Sequence, residues 1–255
     1  MPYIGGKSQA GVYQRIINLI PPHTTYIEPF VGGGAILRLK RPAGRNIAID
    51  LDRRALDALP PGVERHCVNG IGFLASFKCR GGEFVYCDPP YLLSTRGGRR
   101  YYRHEMTDAD HRYLLEVLQR LPCPVLLSGY PSEMYSEALR GWNCDTFDVM
   151  TRGHSWRTEC LWFNYPRPAE LHDYANVGAD RRERWNIERR RRRWTARLER
   201  MAPLDRAALF SALVDVMGRL ELEAPESASA APSKAAGPVS SLCATKCARD
   251  SARTV

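Results

Sequence analysis

This 255-residue chain has no run of about 18 consecutive apolar residues, so an ordinary membrane-spanning helix is not expected. Its first residues, Met1-Pro2-Tyr3-Ile4-Gly5-Gly6-Lys7, lack a basic stretch followed by an apolar one, so no secretory leader is read there. His23, His66, His111, His154 and His172 have no metal-ligand spacing, and Cys243 and Cys247 have no nearby histidine; no metal site is expected. The eight cysteines are irregularly spaced. Cys67, Cys87, Cys123, Cys144 and Cys160 lie in or beside apolar stretches, as reduced core thiols do, which points to a cytoplasmic protein. The Gly-x-Gly-x-x-Gly fingerprint of dinucleotide sites is missing. Gly5-Gly6-Lys7-Ser8 has the ending of a phosphate loop but neither its earlier glycine nor a preceding strand. There is no internal repeat.

What is present is a chain 44% hydrophobic, enough for one sizeable domain with an extension. A net charge of +9 favours a polyanionic partner. Ile16 to Ile20 reads as the end of a short helix stopped by Pro21-Pro22. Strands are expected at Tyr26 to Glu28, Asn46 to Ile49, Val63 to Val68, Phe84 to Cys87, Pro124 to Ser128 and Cys160 to Asn164. Helices are expected after the turn Val31-Gly32-Gly33-Gly34-Ala35, over Arg53 to Leu59, and over Asp108 to Leu121. In that last one Tyr113, Leu114, Val117, Leu118 and Leu121 share a face and Thr107 serves as N-cap. Such alternation predicts an α/β fold with a doubly wound, mostly parallel, Rossmann-like sheet. Beyond Pro166 the pattern changes. Arginines crowd Asp180 to Met201, with Ile187, Trp194, Leu198 and Met201 at helical spacing. A second helix is expected over Asp205 to Leu220. Residues 221–255, rich in Ala, Ser and Pro, read as disordered.

The run Phe84 to Cys87 stops at Asp88-Pro89-Pro90-Tyr91. A buried strand ending there sets one carboxylate and one proline carbonyl at the carboxyl edge of a sheet, where open α/β sheets bind ligands. Both are acceptors without a competing donor, since proline has no N–H. The pair can hold an exocyclic amine of a nucleobase, and the ring of Tyr91 can stack on a flat base. The glycine turn Gly32-Gly33-Gly34 allows close backbone approach to a ligand, although a packing turn uses glycine equally well. Asp50, ending the next strand, can accept from ribose hydroxyls or begin a helix.

In combination, Gly-Gly-Lys at Gly5 to Lys7, Glu-Pro-Phe-Val-Gly-Gly-Gly-Ala at Glu28 to Ala35, Asp50, and Asp-Pro-Pro-Tyr at Asp88 to Tyr91 resemble the Dam-like, alpha-class family of adenine-specific DNA methyltransferases. The resemblance runs from Tyr3 to about Pro168 and includes the closing Trp162-Phe163-Asn164-Tyr165-Pro166. It implies S-adenosylmethionine as methyl donor and no metal. It also implies donor contacts from Tyr3, Lys7, Glu28, Phe30, Gly32, Gly33, Gly34, Asp50 and Asp88. Catalysis would fall to Asp88, Pro89, Pro90 and Tyr91, on an adenine N6 amine flipped out of the duplex.

Two departures stand out. The stretch Val68-Asn69-Gly70-Ile71-Gly72 lacks the carboxylate that family members often carry near the donor's adenine. Only Leu51 to Glu83 is available for a target-recognition insert, so that insert is nearly missing. A short or relaxed target follows, in a restriction-modification or phage setting. Two basic segments are candidates for DNA contact. One is the loop Leu92 to Met106, with Arg96, Arg99, Arg100, Tyr102 and Arg103, which reads equally as a lid over the donor. The other is the cluster Arg189, Arg190, Arg191, Arg192 and Arg193, which suits phosphates or is simply solvated. The expected organisation is a catalytic domain over residues 1–170, a basic helical extension over 171–220 and a tail over 221–255, in a monomer acting on DNA without a membrane. RNA adenine or cytosine N4 as target, or a degenerate DNA-binding protein, are the alternatives.

Overall fold

The unbroken apolar run Phe84 to Cys87 dictates a strand covered on both faces, and β4 (Glu83–Cys87) is buried at every position. Around it lie β1 (Thr25–Glu28), β2 (Arg45–Ile49), β3 (Glu64–His66) and β5 (Val125–Gly129), all parallel. β7 (Trp156–Phe163) runs antiparallel to β5, and β6 (Asn143–Met150) antiparallel to β7. The seven strands follow the order β3-β2-β1-β4-β5-β7-β6. The structure, a computed structural model, describes residues 6–150 and 155–223, with side chains as far as residue 219. Tyr3, His154 and residues 224–255 of the tail expected to be disordered lie outside the described residues. Residues 6–176 form one compact unit and residues 177–223 a second.

Strand alternation splits the core in two. Val85 and Cys87 of β4, Ile47 and Ile49 of β2 and Leu127 of β5 pack with Ile71 and Leu74 of α4 (Gly70–Ser76) and Leu114 and Leu118 of α5 (Asp108–Arg120). Phe84, Tyr86, Tyr26 and Leu126 point the other way. They pack with Ile16 and Ile17 of α1 (Val12–Ile17), Ile36 of α2 (Ala35–Leu39) and Leu56 of α3 (Arg53–Asp57). This is the Rossmann-like class expected. Thr107 caps α5 as its sequence predicts, accepting from Asp110 N while Asp110 Oδ2 accepts from Thr107 N at 2.8 Å.

Several elements differ from the expectation. β3 is shorter than Val63 to Val68, and Cys67 beyond it is exposed, not a core thiol. β7 begins at Trp156, not Cys160. β6, α4 and α6 (Glu133–Ala138) are not among the expected elements: the two helices are only seven and six residues long, and β6 mixes apolar and polar positions. Residues 51–83 are consumed by α3, β3, α4 and the start of β4, so no recognition insert stands there.

In the second unit, α7 (Arg181–Glu199) buries none of its residues. α8 (Pro203–Glu223) extends three residues beyond the expected end at Leu220. Among the described residues no helix is long and apolar enough to cross a membrane.

Candidate active site

Strand order reverses between β1 and β4, and ligands of open α/β sheets bind outside the carboxyl ends of strands at such a switch. Glu28 ends β1, Asp50 follows β2 and Asp88 follows β4, so three sequence-distant carboxylates meet at this edge. Pro89 lacks an N–H and Pro90 repeats the lack, which stops the ladder and leaves Asp88 half-buried at the rim.

The glycine turn is shaped by real constraints. Gly34 has φ +62, and a Cβ there would lie 2.6 Å from Leu59 Cδ2. Asp50 ties the turn down: its Oδ2 accepts from Gly32 N at 2.8 Å and its Oδ1 from Asp52 N at 2.8 Å. Asp50 therefore does not cap the following helix; Asp52 does, accepting from Arg54 N. Gly70 is equally forced, because a Cβ would sit 2.1 Å from the Pro29 carbonyl oxygen. Asn69, offered by sequence in place of the absent carboxylate, uses its side-chain oxygen to cap α4 through Ile71 N and Gly72 N.

Two hollows follow the edge and share Phe30, Asp88 and Tyr102. One is lined by Lys7, Glu28 and Gly32 to Gly34; the other by Asp50, Asp52, Asn69, Gly70, Pro90 and the loop from Arg103 to Met106. Asp52 is a lining carboxylate that sequence reading passed over; its signal was the Asp-x-Asp pair with Asp50.

At the centre, buried Lys7 places Nζ 2.9 Å from Asp88 Oδ1 and 3.0 Å from Glu159 Oε1. It also donates to the Tyr91 hydroxyl, which in turn donates to Glu159. Burial alone would lower the Lys7 pKa, but Asp88 and Glu159 outweigh it and hold the ammonium well above the usual lysine range. Burial raises the Glu159 carboxyl against the pull of Lys7, with Asp88 pushing it further up. Glu28 is pushed up to about 8 by burial; the Tyr26 hydroxyl, 2.7 Å away, opposes this and Asp88 reinforces it.

Glu159 is the residue that sequence reasoning missed. It arrives because β7 runs antiparallel, so the early part of that strand lies at the carboxyl edge of the parallel ones. The only signal was a carboxylate directly before the apolar run Cys160 to Phe163.

The loop from Leu92 to Met106 separates its predicted contacts. Arg96 is buried, not open to phosphate. Its Nε donates to the Tyr91 carbonyl at 2.8 Å, and its Nη2 meets Glu105 Oε2 at 2.5 Å. Glu105 also accepts from Tyr101 N and Tyr102 N, so this pair shapes the loop. Tyr102 lines both hollows, and Arg103 lies 3.7 Å from Asp52. Arg99 and Arg100 are exposed. Tyr91 is only 6% exposed, with its ring edge-on to Tyr130 at 4.7 Å between centroids. Lys7 Nζ also lies over the Tyr91 ring, 4.7 Å from its centroid, so this arrangement leaves no open ring face for a base. Arg189 to Arg193 lie on exposed α7, where Arg191 and Arg192 pair with Glu188. Among the described residues no group of three or more His, Cys, Asp or Glu is placed to hold a metal.

The strand order, with a glycine cleft and an Asp-Pro-Pro-Tyr corner at its switch point, defines a Rossmann-like α/β protein with its ligand-binding edge at that corner. Residues 75–153 match the model of the D12 class N6 adenine-specific DNA methyltransferases, the family that the sequence resembles. No curated protein matches the sequence. Among solved structures, the 23S rRNA methyltransferase ErmE is 13% identical, with 66% of this chain and 72% of that chain covered and a TM-score of 0.43. TrmK of M. capricolum, in complex with S-adenosylhomocysteine, is 9% identical, with 84% of this chain and 99% of that chain covered and a TM-score of 0.41. A dimethyladenosine transferase from Plasmodium falciparum is 12% identical, with 62% of each chain covered and a TM-score of 0.37. The fold class is carried by the strand order, not by these scores.

Proposed function

We propose that this protein transfers a methyl group from S-adenosylmethionine to the N6 amine of an adenine flipped out of DNA. One observation carries the reading: Asp88, of the Asp-Pro-Pro-Tyr corner, borders both hollows at the switch point and is held by buried Lys7. The family match over residues 75–153 supports adenine in DNA as the target.

The residues present fit such a donor. Glycine backbone and the charged groups Lys7, Glu28 and Asp88 border the hollow that suits a methionine portion. Asp50 and Asp52 border the one that suits a nucleoside. When bound, S-adenosylmethionine supplies a methyl already activated on a sulfonium, so the protein's task is alignment and electrostatic support. The adenine amine is conjugated with its ring and is a poor nucleophile. Asp88 and the Pro89 carbonyl accept its two hydrogens and favour a tetrahedral nitrogen as positive charge develops. Asp88 takes the proton late, after attack has begun. Lys7 fixes the Asp88 carboxylate, and Glu159 balances the charge of Lys7. Extruding the base costs roughly a few kcal/mol, and stacking returns ~1–3 kcal/mol of it.

Arg99 and Arg100 on the loop and Arg189 to Arg193 on α7 are the proposed phosphate contacts. They carry no sequence information by themselves, in keeping with a short or relaxed target. The test is methyl transfer from labelled donor to duplex DNA, RNA and protein, followed by sequencing of modified bases. Label in DNA at adenine N6 is expected. Label confined to RNA, to cytosine or to protein overturns the substrate assignment, and no transfer to any of them overturns the activity.

A further inference from the structure

α8 carries exposed apolar side chains, with Leu209 and Val216 each 41% exposed. Phe210 is 68% exposed and Leu213 60%. Leu209, Leu213 and Val216 recur at the alternating four- and three-residue spacing of a coiled-coil seam, with Arg206 at the seam position before them. Phe210 and Met217 flank that seam on one side; Asp205, Ala212 and Arg219 flank it on the other, each a heptad from the next. We propose that this face pairs with the same face of a second copy of this chain, antiparallel, with Leu209 of one copy against Leu213 of the other.

The charges favour this occupant and this register. In an antiparallel seam, like flanks meet. Setting Leu209 against Leu213 brings Asp205 opposite Arg219 of the second copy, and two-fold symmetry repeats the pair at the other end. The same register brings Phe210 to its own twin across one flank. Across the other, Ala212 meets its twin near the axis, where a small side chain permits close approach. A parallel seam would place Asp205 beside the Phe210 flank and leave its charge without a partner. A membrane surface is a poorer match, because α8 has no lysine and carries Asp205 and Asp215 beside its arginines. The proposal replaces the monomer expected from sequence and stands apart from the methyl-transfer reading.

Sedimentation of the full chain over a wide concentration range tests it. A reversible dimer is expected, and Leu213→Asp should abolish it. Asp205→Arg alone and Arg219→Asp alone should each weaken the dimer by roughly tenfold in Kd, by setting like charges opposite one another. The double variant should recover the affinity, and mixing the two single variants should give a mixed dimer tighter than either alone. A wild-type monomer at every concentration overturns the proposal. So does an oligomer indifferent to these charge reversals.

Discussion

Charge is concentrated in two places in this molecule. At the end of β4, Lys7, Asp88 and Glu159 are packed largely away from water, with the ammonium within 3.0 Å of both carboxylates. Along α7, arginine follows arginine on a surface that buries nothing. In the first region each charge has a fixed partner, and removing one leaves another stranded at low dielectric. In the second, the arginines are exposed and screened by salt, and even the pairs of Arg191 and Arg192 with Glu188 are worth little singly. Single-residue changes should therefore dominate at the corner, and only collective changes should register on the helix.

The largest effect is expected for Asp88→Ala. It removes a group proposed to touch the reacting amine, and kcat should fall on the order of 10³-fold while the protein still folds. Circular dichroism and a single-turnover assay check both halves; retained turnover removes Asp88 from its role. Glu159→Gln keeps the shape and deletes the second carboxylate beside Lys7. As a positioning change it should lower kcat roughly tenfold to a hundredfold with little change in donor KM. Full activity in Glu159→Gln with a loss confined to Glu159→Ala would mark it as packing only.

On the helix, replacing Arg189 to Arg193 together by alanine should weaken DNA binding. The plot of log K against log salt should flatten by roughly one unit for each phosphate no longer neutralised. Any one of these replacements alone should be nearly silent. An unchanged salt slope in the combined variant removes α7 from DNA binding and breaks the contrast.

The smallest effect concerns stability. The Glu28 carboxyl titrates at about 8 in the fold against 4.5 ordinarily, chiefly through burial. Below pH 4.5 both states hold the proton and no stability is lost. Between pH 4.5 and about 8 the unfolded chain releases it while the fold retains it, so stability falls as pH rises, by at most roughly a few kcal/mol. Glu28→Gln should flatten that decline in urea titrations across this window. Lys40, lowered to about 8 by burial, gives the opposite slope only above that pH. Parallel curves for the two proteins would show that Glu28 is not the source.

The sequence makes Asp88 legible because a continuous apolar run halted by two prolines has one natural place at a sheet edge. Asp50 and the glycine turn are legible for the same reason: each closes a short apolar strand. Glu159 is hidden because its position depends on β7 reversing direction beside β5, a pairing between distant segments that no local pattern records. Arg96 misleads in the other direction. Among Arg99, Arg100 and Arg103 it looks like one more surface cation, yet Glu105, nine residues on, draws it inside. β6 escapes because Asn143 to Met150 is an edge strand with mixed polarity.

The backward course of β7 also sets an order of events. Lys7 and Asp88 leave the ribosome early, whereas the carboxylate that completes their corner comes on the last strand of the sheet. A chain halted before β7 has the glycine cleft but leaves a lysine with one counter-ion instead of two. The three-charge corner is thus complete only when the final strand has paired with β5 in register.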